Sequence, residues 1–529
     1  MKKIVVRKNR YFDSVFLMRV ARRIASEPGI TDASALLATP ANRQVLAGMG
    51  YGDGGRDPEF AAAGSADLVL ALEGEAAAVE TAAANADAYL ARGSGPAAEA
   101  DGAAGRAVPR PRSIAEAVAA RPDCSVAVIS VPGEHAAREA RNALDQGLNV
   151  FLFSSNVSVE DERALKTEAA RRGLIVMGPD CGTGYLGGAG IGFANAVRRG
   201  PIGIVGSTGT GMQEFASIVH RAGSGISSGI GTGSRDLSDA IGGLSTMTAI
   251  DALEADPATA VIAVLSKPPG AQATSALQQR LARCPKPVVL CLLGASVEQA
   301  AGERAATTVD EAAVHALRAI GIDEPPSLRV DNGALRRRAA AEIARMLPAQ
   351  RHVRGLFAGG TLCYQAQAIF RQAGLRVYSN APLRGMPTLD DPDQSVADTF
   401  VDLGAEFFVA GRPHPMIDAA QRRKRLEREG RDPTVAVVLL DFILGAIASP
   451  DPAGDMLEAI HAVRDAACER GGELCIVASV CGTDGDTQGL DRQKRTLEGA
   501  GVLVFTTSAQ AASFCREAAL QLAHRDGAR

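Results

Sequence analysis

Along most of the chain, short apolar runs bounded by Gly, Pro or Asn alternate with longer stretches of helical periodicity. This alternation is typical of parallel sheets that are covered by helices. The fold class is therefore predicted to be α/β, with several parallel-sheet domains. The runs predict strands at 3–6, 34–38, 67–72, 125–130, 149–154, 174–177, 202–205, 261–265, 288–292, 355–358, 435–441 and 474–479, and the strand at 125–130 is expected to be buried.

Changes in composition divide these elements among several regions. Residues 93–112 are rich in Gly, Ala and Pro and have no apolar period, so they predict a flexible linker. A basic stretch at 323–350 predicts a helical connector with a solvated face. The predicted order is an N-terminal α/β domain at 1–92, the linker at 93–112, α/β domains at 113–199 and 200–322, the connector at 323–350 and a last α/β domain at 351–522.

The composition excludes several function classes. The formal net charge is −4, from 56 Lys and Arg against 60 Asp and Glu, so the chain has no overall basic field for nucleic acid or an anionic membrane. Trp is absent and aromatic residues make up 4%, which disfavours stacking on single-stranded nucleic acid. No apolar segment predicts a signal peptide or a transmembrane helix. The nine Cys form no CxxC pair, so we expect a cytoplasmic protein without a metal site.

The sharpest local feature is the segment IGIVGSTGTGMQEF at 202–215. A buried strand there meets a helix, predicted from about Met212, through a turn with three glycines and three hydroxyls. Glycine lets a ligand approach the backbone, and the first amides and the dipole of a helix favour an anion such as phosphate. The turn is neither a Walker A loop nor a GxGxxG fingerprint, and a tight joint capped by Ser207 is the alternative. Its candidate phosphate ligands are Ser207, Thr208, Gly209 and Thr210.

Similar Gly-rich turns follow other strands, at 229–236, 357–363 and 440–445. Ligands of open α/β sheets bind at the carboxyl ends of strands, so the recurrence suggests convergence on one phosphorylated ligand. Arg235 could clamp a phosphate or a carboxylate, and Lys267 could meet an anion; a surface ion pair and a solvated side chain are the alternatives. The further candidate ligands in these turns are Gly233, Gly359, Gly360 and Thr361.

Proton transfer and nucleophilic chemistry have fewer candidates. Arg412 and His414 lie in the segment GRPHPM, whose prolines stiffen the loop, and His is the natural proton carrier near neutral pH. A structural His is the alternative there. Cys181 and Cys363 occupy Gly-rich turns without a His partner, so we interpret them as buried thiols.

Part of the chain, 125–269, resembles the α subunit of succinyl-CoA synthetase. MGPDC at 177–181 is similar to that family's IGPNCPG turn, and GIVGSTGT at 203–210 is similar to its GIVSRSGT, the helix start that holds phosphohistidine. The turn at 229–236 is similar to its GIGGDP. Three later segments resemble elements of the β subunit, namely 401–404, 437–446 and 480–483.

This resemblance implies a Rossmann-like CoA-binding domain at 113–199 and two flavodoxin-like domains at 200–322 and 351–522. It also implies a CoA-binding role for the turn Gly178, Pro179, Asp180 and Cys181.

A closer resemblance, over nearly the whole chain, is to the FdrA family. The segments that carry it are YFDSV at 11–15, ATPAN at 38–42, VMGPDCGT at 176–183, SKPP at 266–269, GGTL at 359–362 and GRPHPMID at 411–418. Two departures from the synthetases matter. The segment CLLGASV at 291–297 has no His where those enzymes carry the phosphorylated one, and no ATP-grasp domain precedes 113.

The resemblance to FdrA implies three hypotheses. The leading one is a carbamoyltransferase subunit of ureide breakdown that uses oxamate, phosphate and carbamoyl phosphate, and that works with companion subunits in an oligomer. The second is an acid–thiol ligase or CoA transferase that binds CoA. The third is a non-catalytic scaffold subunit. The leading hypothesis gives catalytic roles to Arg235, Arg412 and His414.

Overall fold

The protein is described by a computed structural model. It covers all residues except 11, 13, 52–57, 92–110, 295–304, 410–411 and 528–529. The chain forms two compact units, 1–112 with 406–414, and 113–405 with 415–529. Nearly all of the predicted linker at 93–112 lies outside the described residues. No helix in the described ranges is both long and apolar enough to cross a bilayer.

The first unit contains a three-stranded sheet in which the central strand, β3, is antiparallel to both neighbours. Leu68, Leu70 and Leu72 of this strand point into one apolar cluster, and Val69 and Ala71 point into another, so both faces of the sheet are covered. The expected parallel arrangement is wrong here, because the apolar pattern reports burial and not strand direction. The elements are β1 (Lys2–Arg7), α1 (Ser14–Ala25), β2 (Ile30–Leu37), α2 (Pro40–Gly48), α3 (Pro58–Ala61), β3 (Leu68–Gly74), α4 (Ala76–Ala84) and α5 (Ala86–Ala91).

The second unit begins with a small parallel sheet in the order β4-β5-β6. The Ser158 hydroxyl caps α8 by accepting the Asp161 amide hydrogen. The predicted burial of the strand at 125–130 is wrong on one face: Val128 is 61% exposed, because β4 forms the edge of the sheet. The elements are α6 (Ile114–Ala120), β4 (Val126–Ile129), α7 (Gly133–Asp145), β5 (Asn149–Leu152), α8 (Val159–Arg171) and β6 (Val176–Met177).

A seven-stranded sheet follows, in the order β13-β12-β11-β9-β10-β7-β8. The five strands from β9 to β13 are parallel, and the hairpin β7–β8 adds an antiparallel edge. The elements are β7 (Thr183–Leu186), β8 (Ala189–Gly192), β9 (Arg199–Gly206), α9 (Gly209–Arg221), β10 (Ile226–Gly231), α10 (Leu244–Ala255), β11 (Val261–Ser266), α11 (Ala271–Leu281), β12 (Val288–Leu292), β13 (Ala305–Ala306), α12 (Val309–Ala319) and α13 (Asn332–Ile343).

The last sheet has six parallel strands in the order β15-β16-β14-β17-β18-β19. Its central strand β17 is buried at all nine positions, as a central strand of a parallel sheet should be. The elements are β14 (His352–Phe357), α14 (Gly360–Gln372), β15 (Tyr378–Ser379), β16 (Thr399–Asp402), α15 (Glu406–Val409, in the first unit), α16 (Ala420–Arg431), β17 (Val435–Ile443), α17 (Leu457–Glu469), β18 (Cys475–Cys481), α18 (Leu490–Gly499), β19 (Leu503–Phe505) and α19 (Ser508–Gly527).

The two large sheets share a common strand order. Counted from β9, the five parallel strands of the first sheet run 2-1-3-4-5, which is the flavodoxin-like order. The second sheet, counted from β14, has the same order once the two-residue edge strand β15 is left out. This confirms the predicted fold class of the two domains. In such sheets strand 2 lies on one side of strand 1 and strand 3 on the other, so the strand order reverses between strands 1 and 3. Ligands bind at this point, beyond the carboxyl ends of the strands. The turns after β9 and β14 are therefore at the expected ligand positions.

Buried polar contacts join the two flavodoxin-like lobes. Asn195 donates from Nδ2 to the Leu444 carbonyl at 2.9 Å and to Asp486 Oδ2 at 2.8 Å. The amide of Ala196 donates to Asp486 Oδ1 at 2.8 Å, and Thr483 Oγ1 donates to the Ala196 carbonyl at 2.6 Å. A short segment before β9 thus fixes one lobe to the other through specific hydrogen bonds.

A buried ion network joins α8 to the loop after β10. Lys166 Nζ donates to Glu162 Oε1 and to Asp236 Oδ1, each at 2.7 Å, and to the Thr232 carbonyl at 2.9 Å. All three charged side chains are almost completely buried. Removal of the Lys166 ammonium would leave the buried Asp236 carboxylate without a cation and Glu162 with Arg235 alone.

Lys166→Met is therefore expected to lower the free energy of unfolding by about 3–5 kcal/mol. The matched control is Arg171→Met on the same helix, whose side chain is 72% exposed and should matter by less than about 0.5 kcal/mol. Urea denaturation of both variants measures the difference. Equal stability of the two variants would contradict the assigned network.

Candidate functional site

Hydrogen bonds within the protein engage both the amide and the hydroxyl of Ser207 in the turn after β9. The Ser207 amide donates to the Leu265 carbonyl at 3.0 Å, and its hydroxyl pairs with that of Ser266 at 2.7 Å. Thr208, and not Ser207, is the N-cap: its Oγ1 accepts from the amide of Gly211 at 3.4 Å. Helix α9 consequently starts at Gly209, three residues before the predicted start, and the predicted turn glycines form its first turn.

The turn after β14 is occupied by a carboxylate of the protein itself. The amides of Ala358 and Gly359 each donate to Asp441 at 2.7 Å, and Arg422 Nη2 lies 3.2 Å from the same carboxylate. Burial raises the pKa of Asp441, and the Arg422 charge opposes that shift. The amide of Gly359 is therefore engaged, and its predicted role as a phosphate ligand is revised.

The starts of α9 and α14 face each other. The side-chain hydroxyls of Thr208 and Thr361 are hydrogen-bonded to each other across the lobes. A Cβ on Gly211 would lie 3.0 Å from Thr361 Cγ2, and a Cβ on Gly359 would lie 3.1 Å from Thr210 Cβ, so the approach depends on glycine. The predicted convergence of these two turns is present in the structure.

Only part of this junction is open to a ligand. Ser207, Thr208, Gly359 and Thr361 are buried, whereas Gly209, Thr210 and Gly360 are partly exposed. The amides of these three residues belong to the first turns of their helices, where no intrahelical acceptor is available. We call Gly209, Thr210 and Gly360 the paired helix start. It is positively polarised by two helix dipoles.

Two charged side chains border the paired helix start. Lys267 Nζ lies 4.9 Å from the ring centroid of Tyr364 on α14. Asp402, at the end of β16, accepts the Gly404 amide hydrogen on Oδ1 at 2.9 Å, and its Oδ2 would lie 2.5 Å from a Cβ on Gly360. Burial raises the pKa of Asp402 to about 6, although the nearby Lys267 charge acts to lower it. Asp402 can therefore hold a proton close to neutral pH.

Asp402 and Asp441 were not among the predicted site residues. Asp402 lies in the segment 401–404 that resembles the β subunit, and Asp441 ends the predicted strand at 435–441. Their position towards the carboxyl end of a strand was the signal that could have identified them. Their proximity to the glycines after β14 depends on strand order, which the sequence does not display.

The turn at 178–181, which we call the CoA-type turn, packs against the loop after β10. Gly178 has a φ of +108°, and a Cβ on Gly233 would lie 2.5 Å from the Pro179 carbonyl oxygen. Asp180 is exposed, whereas Cys181 is buried and donates to the carbonyls of Thr183 and Gly231. Gly233 therefore packs against this turn, and its predicted role as a phosphate ligand has no support in the paired helix start.

The thiols in Gly-rich turns are not poised for nucleophilic attack. Burial raises the pKa of the Cys181 thiol to about 12, and it also raises the pKa of the Cys363 thiol. Both side chains are completely enclosed. Their interpretation as buried thiols agrees with the structure.

Arg235 has protein partners. Its Nε donates to Glu162 Oε2 at 3.0 Å, and its Nη2 donates to the Val157 carbonyl at 2.7 Å. This arrangement is the ion pair that was the alternative to a phosphate clamp. The structure therefore favours this ion pair over a catalytic role for Arg235.

Arg412 and His414 belong to the first unit, whereas the other predicted site residues belong to the second. The Arg412 charge acts to lower the pKa of Tyr51, which burial raises. Gly411, the first residue of that segment, lies outside the described residues. The catalytic roles of Arg412 and His414 stay predictions.

Three family models match the chain. The CoA-ligase model matches residues 356–517, and the CoA binding domain model matches 197–292. The second match falls on the strands β9 to β12, and not on the region 113–199 for which a CoA-binding domain was predicted. A model described as AllF, heavy metal-associated domain, matches residues 1–107.

Residues 1–107 do not fit a heavy-metal site. They contain neither Cys nor His, and so lack the thiolate and imidazole ligands of heavy-metal sites. No group of three or more His, Cys, Asp or Glu among the described residues is placed to hold a metal ion.

The chain is also similar to whole proteins. It is 41% identical over 524 residues to the uncharacterized protein YahF of Escherichia coli K12, which covers 97% of this chain and 98% of that protein. Acetyl-coenzyme A synthetase 1 of Ca. Korarchaeum cryptofilum, solved with phosphate and ADP, matches with 18% identity over 76% of this chain and 83% of that chain, at a TM-score of 0.28. ATP citrate lyase of Methanothrix soehngenii, solved with citrate and coenzyme A, matches with 15% identity over 78% and 84%, at a TM-score of 0.34.

The raised pKa of Asp402 predicts a measurable pH dependence of stability. Between its unfolded pKa of about 3.9 and its folded pKa, the folded state keeps a proton that the unfolded chain has lost, so stability falls as pH rises through this window. Asp402→Asn removes this loss and should raise the free energy of unfolding at pH 7 by up to about 3 kcal/mol relative to the parent. The gain should shrink towards pH 4. Urea denaturation from pH 4 to 7 measures it, and a gain that is independent of pH would contradict the prediction.

Proposed function

Because this chain belongs to the FdrA-like family of acyl-CoA-synthetase-related proteins, we propose that it transfers a phosphorylated acyl group, with carbamoyl phosphate as the form that fits best. The phosphate would lie at the paired helix start. One observation carries the proposal: Gly209, Thr210 and Gly360 are partly exposed, and their amides belong to the first turns of two helices whose starts meet. The Lys267 ammonium lies against Tyr364 of the second of these helices.

The missing phosphohistidine supports a substrate that already carries phosphate. Between His220 and His315 the sequence has no His, so the segment after β12 cannot form one. The Cys thiols beside the paired helix start and the CoA-type turn are buried and protonated, as their raised pKa values indicate. Direct transfer between phosphate and a carbamoyl group needs no nucleophile from the protein, because positioning and charge stabilisation are sufficient.

The proposed step is phosphorolysis of an N-carbamoyl amide such as an oxalurate-type compound. An oxygen of HPO₄²⁻ attacks the carbamoyl carbon, the bond from that carbon to the amide nitrogen breaks, and the nitrogen leaves as a carboxamide such as oxamate. Protonated Asp402 gives its proton to the leaving nitrogen and regains one from the attacking phosphate, so the products are carbamoyl phosphate and the neutral amide. The helix amides and Lys267 stabilise the phosphate charge throughout.

Companion subunits belong to this proposal. The family resemblance implies an oligomeric assembly. A non-catalytic scaffold is the competing function, and it differs in one respect: the companions would then turn over substrate without this chain. Turnover that stops on Asp402→Asn while the assembly persists would exclude the scaffold.

Lys267→Gln is expected to weaken phosphate and carbamoyl phosphate binding by about tenfold, because one cation beside a dianion is lost. Lys424→Gln is the matched control, since Lys424 is exposed on α16 and lies in neither turn of the junction. Isothermal titration of the purified chain with each anion measures the affinities. Equal affinities for the two variants, or no saturable binding by the parent, would refute the anion site.

A CoA-dependent acid–thiol ligase is the second candidate, because the CoA-binding and CoA-ligase family models match the two flavodoxin-like lobes. It requires a site for CoA, for which the exposed Asp180 turn is the predicted location. In the ligase reading, CoA would bind at that turn and the acyl phosphate at the paired helix start.

Asp180→Tyr places a large side chain on this exposed turn and should abolish CoA binding if the turn holds CoA. Asp145→Tyr, exposed at the end of α7, is the control and should bind CoA as the parent does. Titration with CoA separates the two functions. A parent protein that shows no saturable binding up to about 1 mM CoA has no ligase function.

A further inference from the structure

A cavity of about 420 Å³ lies at the other end of α9 from the paired helix start. Its wall contains Tyr185 of β7, Arg198 just before β9, and His220 near the last turn of α9. Since α9 has 13 residues, the cavity and the paired helix start are separated by about 20 Å along the helix. Neither the proposed function nor the family matches assign a role to this cavity.

Arg198 is a cation with donors to spare. Its Nη1 donates to the His220 carbonyl at 2.5 Å, which fixes the guanidinium at the negatively polarised end of α9. Its Nη2 is 3.9 Å from Asp484 Oδ2, which is beyond hydrogen-bond distance, and its Nε has no acceptor among the described residues. The side chain is 48% exposed. Two N–H groups of a planar fork are thus available to a carboxylate.

Tyr185 supplies a second donor. Its hydroxyl oxygen accepts the amide hydrogen of Asn195 at 3.3 Å, and the hydroxyl hydrogen has no acceptor in the described part of the chain. The residue is 3% exposed, so bulk water does not solvate this hydroxyl freely. A buried hydroxyl hydrogen costs free energy unless an acceptor reaches it.

The wall behind these donors is held in place. His220 Nδ1 accepts from the Arg198 amide at 3.0 Å, so its ring hydrogen is on Nε2 and is donated to Asp484 Oδ1 at 2.5 Å. Asn195 is fixed by the lobe contacts described above. Both donors therefore project from a prearranged frame, which lowers the cost of ordering a ligand.

We propose that this cavity is a second ligand site, which takes a small monocarboxylate with a neighbouring carbonyl or amide oxygen. The carboxylate lies on the Arg198 fork, and the neighbouring oxygen accepts the hydrogen of Tyr185. The Asp484 carboxylate beside Arg198 opposes a second negative charge, which selects against phosphate. The site does not depend on the proposed function.

Pyruvate is a suitable probe, because it is a monocarboxylate with an adjacent carbonyl and it carries no phosphate. Titration of the full chain, followed by saturation-transfer NMR, should show saturable binding. Arg198→Gln should weaken it by at least about tenfold and Tyr185→Phe by several-fold. Arg199→Gln, the exposed neighbour that does not line the cavity, and Lys267→Gln should leave it unchanged.

The outcomes are decisive in both directions. Acetamide, which has the carbonyl but no charge, should bind at least about tenfold more weakly than pyruvate. Absence of saturable pyruvate binding up to about 20 mM, or an Arg198→Gln variant that binds as tightly as the parent, would overturn the proposal. If Arg198→Gln fails to fold, Tyr185→Phe decides the matter, and unchanged affinity in that variant overturns it. Loss of binding in Lys267→Gln would place pyruvate at the paired helix start instead.

Discussion

The structure of the second unit depends on the close approach of two helix starts across two sheets. The hydroxyls of Thr208 and Thr361 bond to each other, and glycine at 211 and 359 leaves room for that contact. Two like dipole ends repel each other, so negative charge must be present nearby. Asp441 provides it for α14 by accepting two amide hydrogens. Among the described residues, no side chain accepts the amide hydrogens of Gly209 and Thr210 at the start of α9, and this asymmetry is why the proposed anion is placed there.

Buried charge is the second consequence of that approach. Asp402 lies within the apolar end of β16, where an ionised carboxylate is costly, and the Lys267 charge only partly offsets this cost. A carboxyl group held in such a place is poorly suited to stabilising the fold and well suited to exchanging a proton. Local stability and chemistry are therefore opposed at this position.

Much of the fold was predictable because buried strands have continuous apolar runs. All 12 predicted runs form strands, with boundaries shifted by a few residues; nine lie in parallel sheets and three in the antiparallel sheet of the first unit. The flavodoxin-like lobes were implied by the resemblance to succinyl-CoA synthetase, and the meeting of the turns after β9 and β14 followed from recurrent glycines at strand ends. Helix α9 starts earlier than predicted because its N-cap is Thr208. Glycine has a low helix propensity, but here Gly209 and Gly211 lie in the first turn of the helix, where Gly211 packs closely against Thr361. The exposure of Val128 and the antiparallel sheet of the first unit depend on strand order, which apolar patterns do not encode. The partners of Arg235 lie more than 70 positions away along the chain, and the amide of Asp402 bonds to Asn380, more than 20 positions away. Local sequence patterns therefore could not predict the surroundings of either residue.

The hydrogen bonds of Asn195 and Ala196 to Asp486 and Leu444 have a meaning beyond the single chain. These hydrogen bonds join the two lobes directly and do not involve the peptide at 323–350 that connects them. A break of the chain within that peptide would leave these hydrogen bonds between the lobes in place.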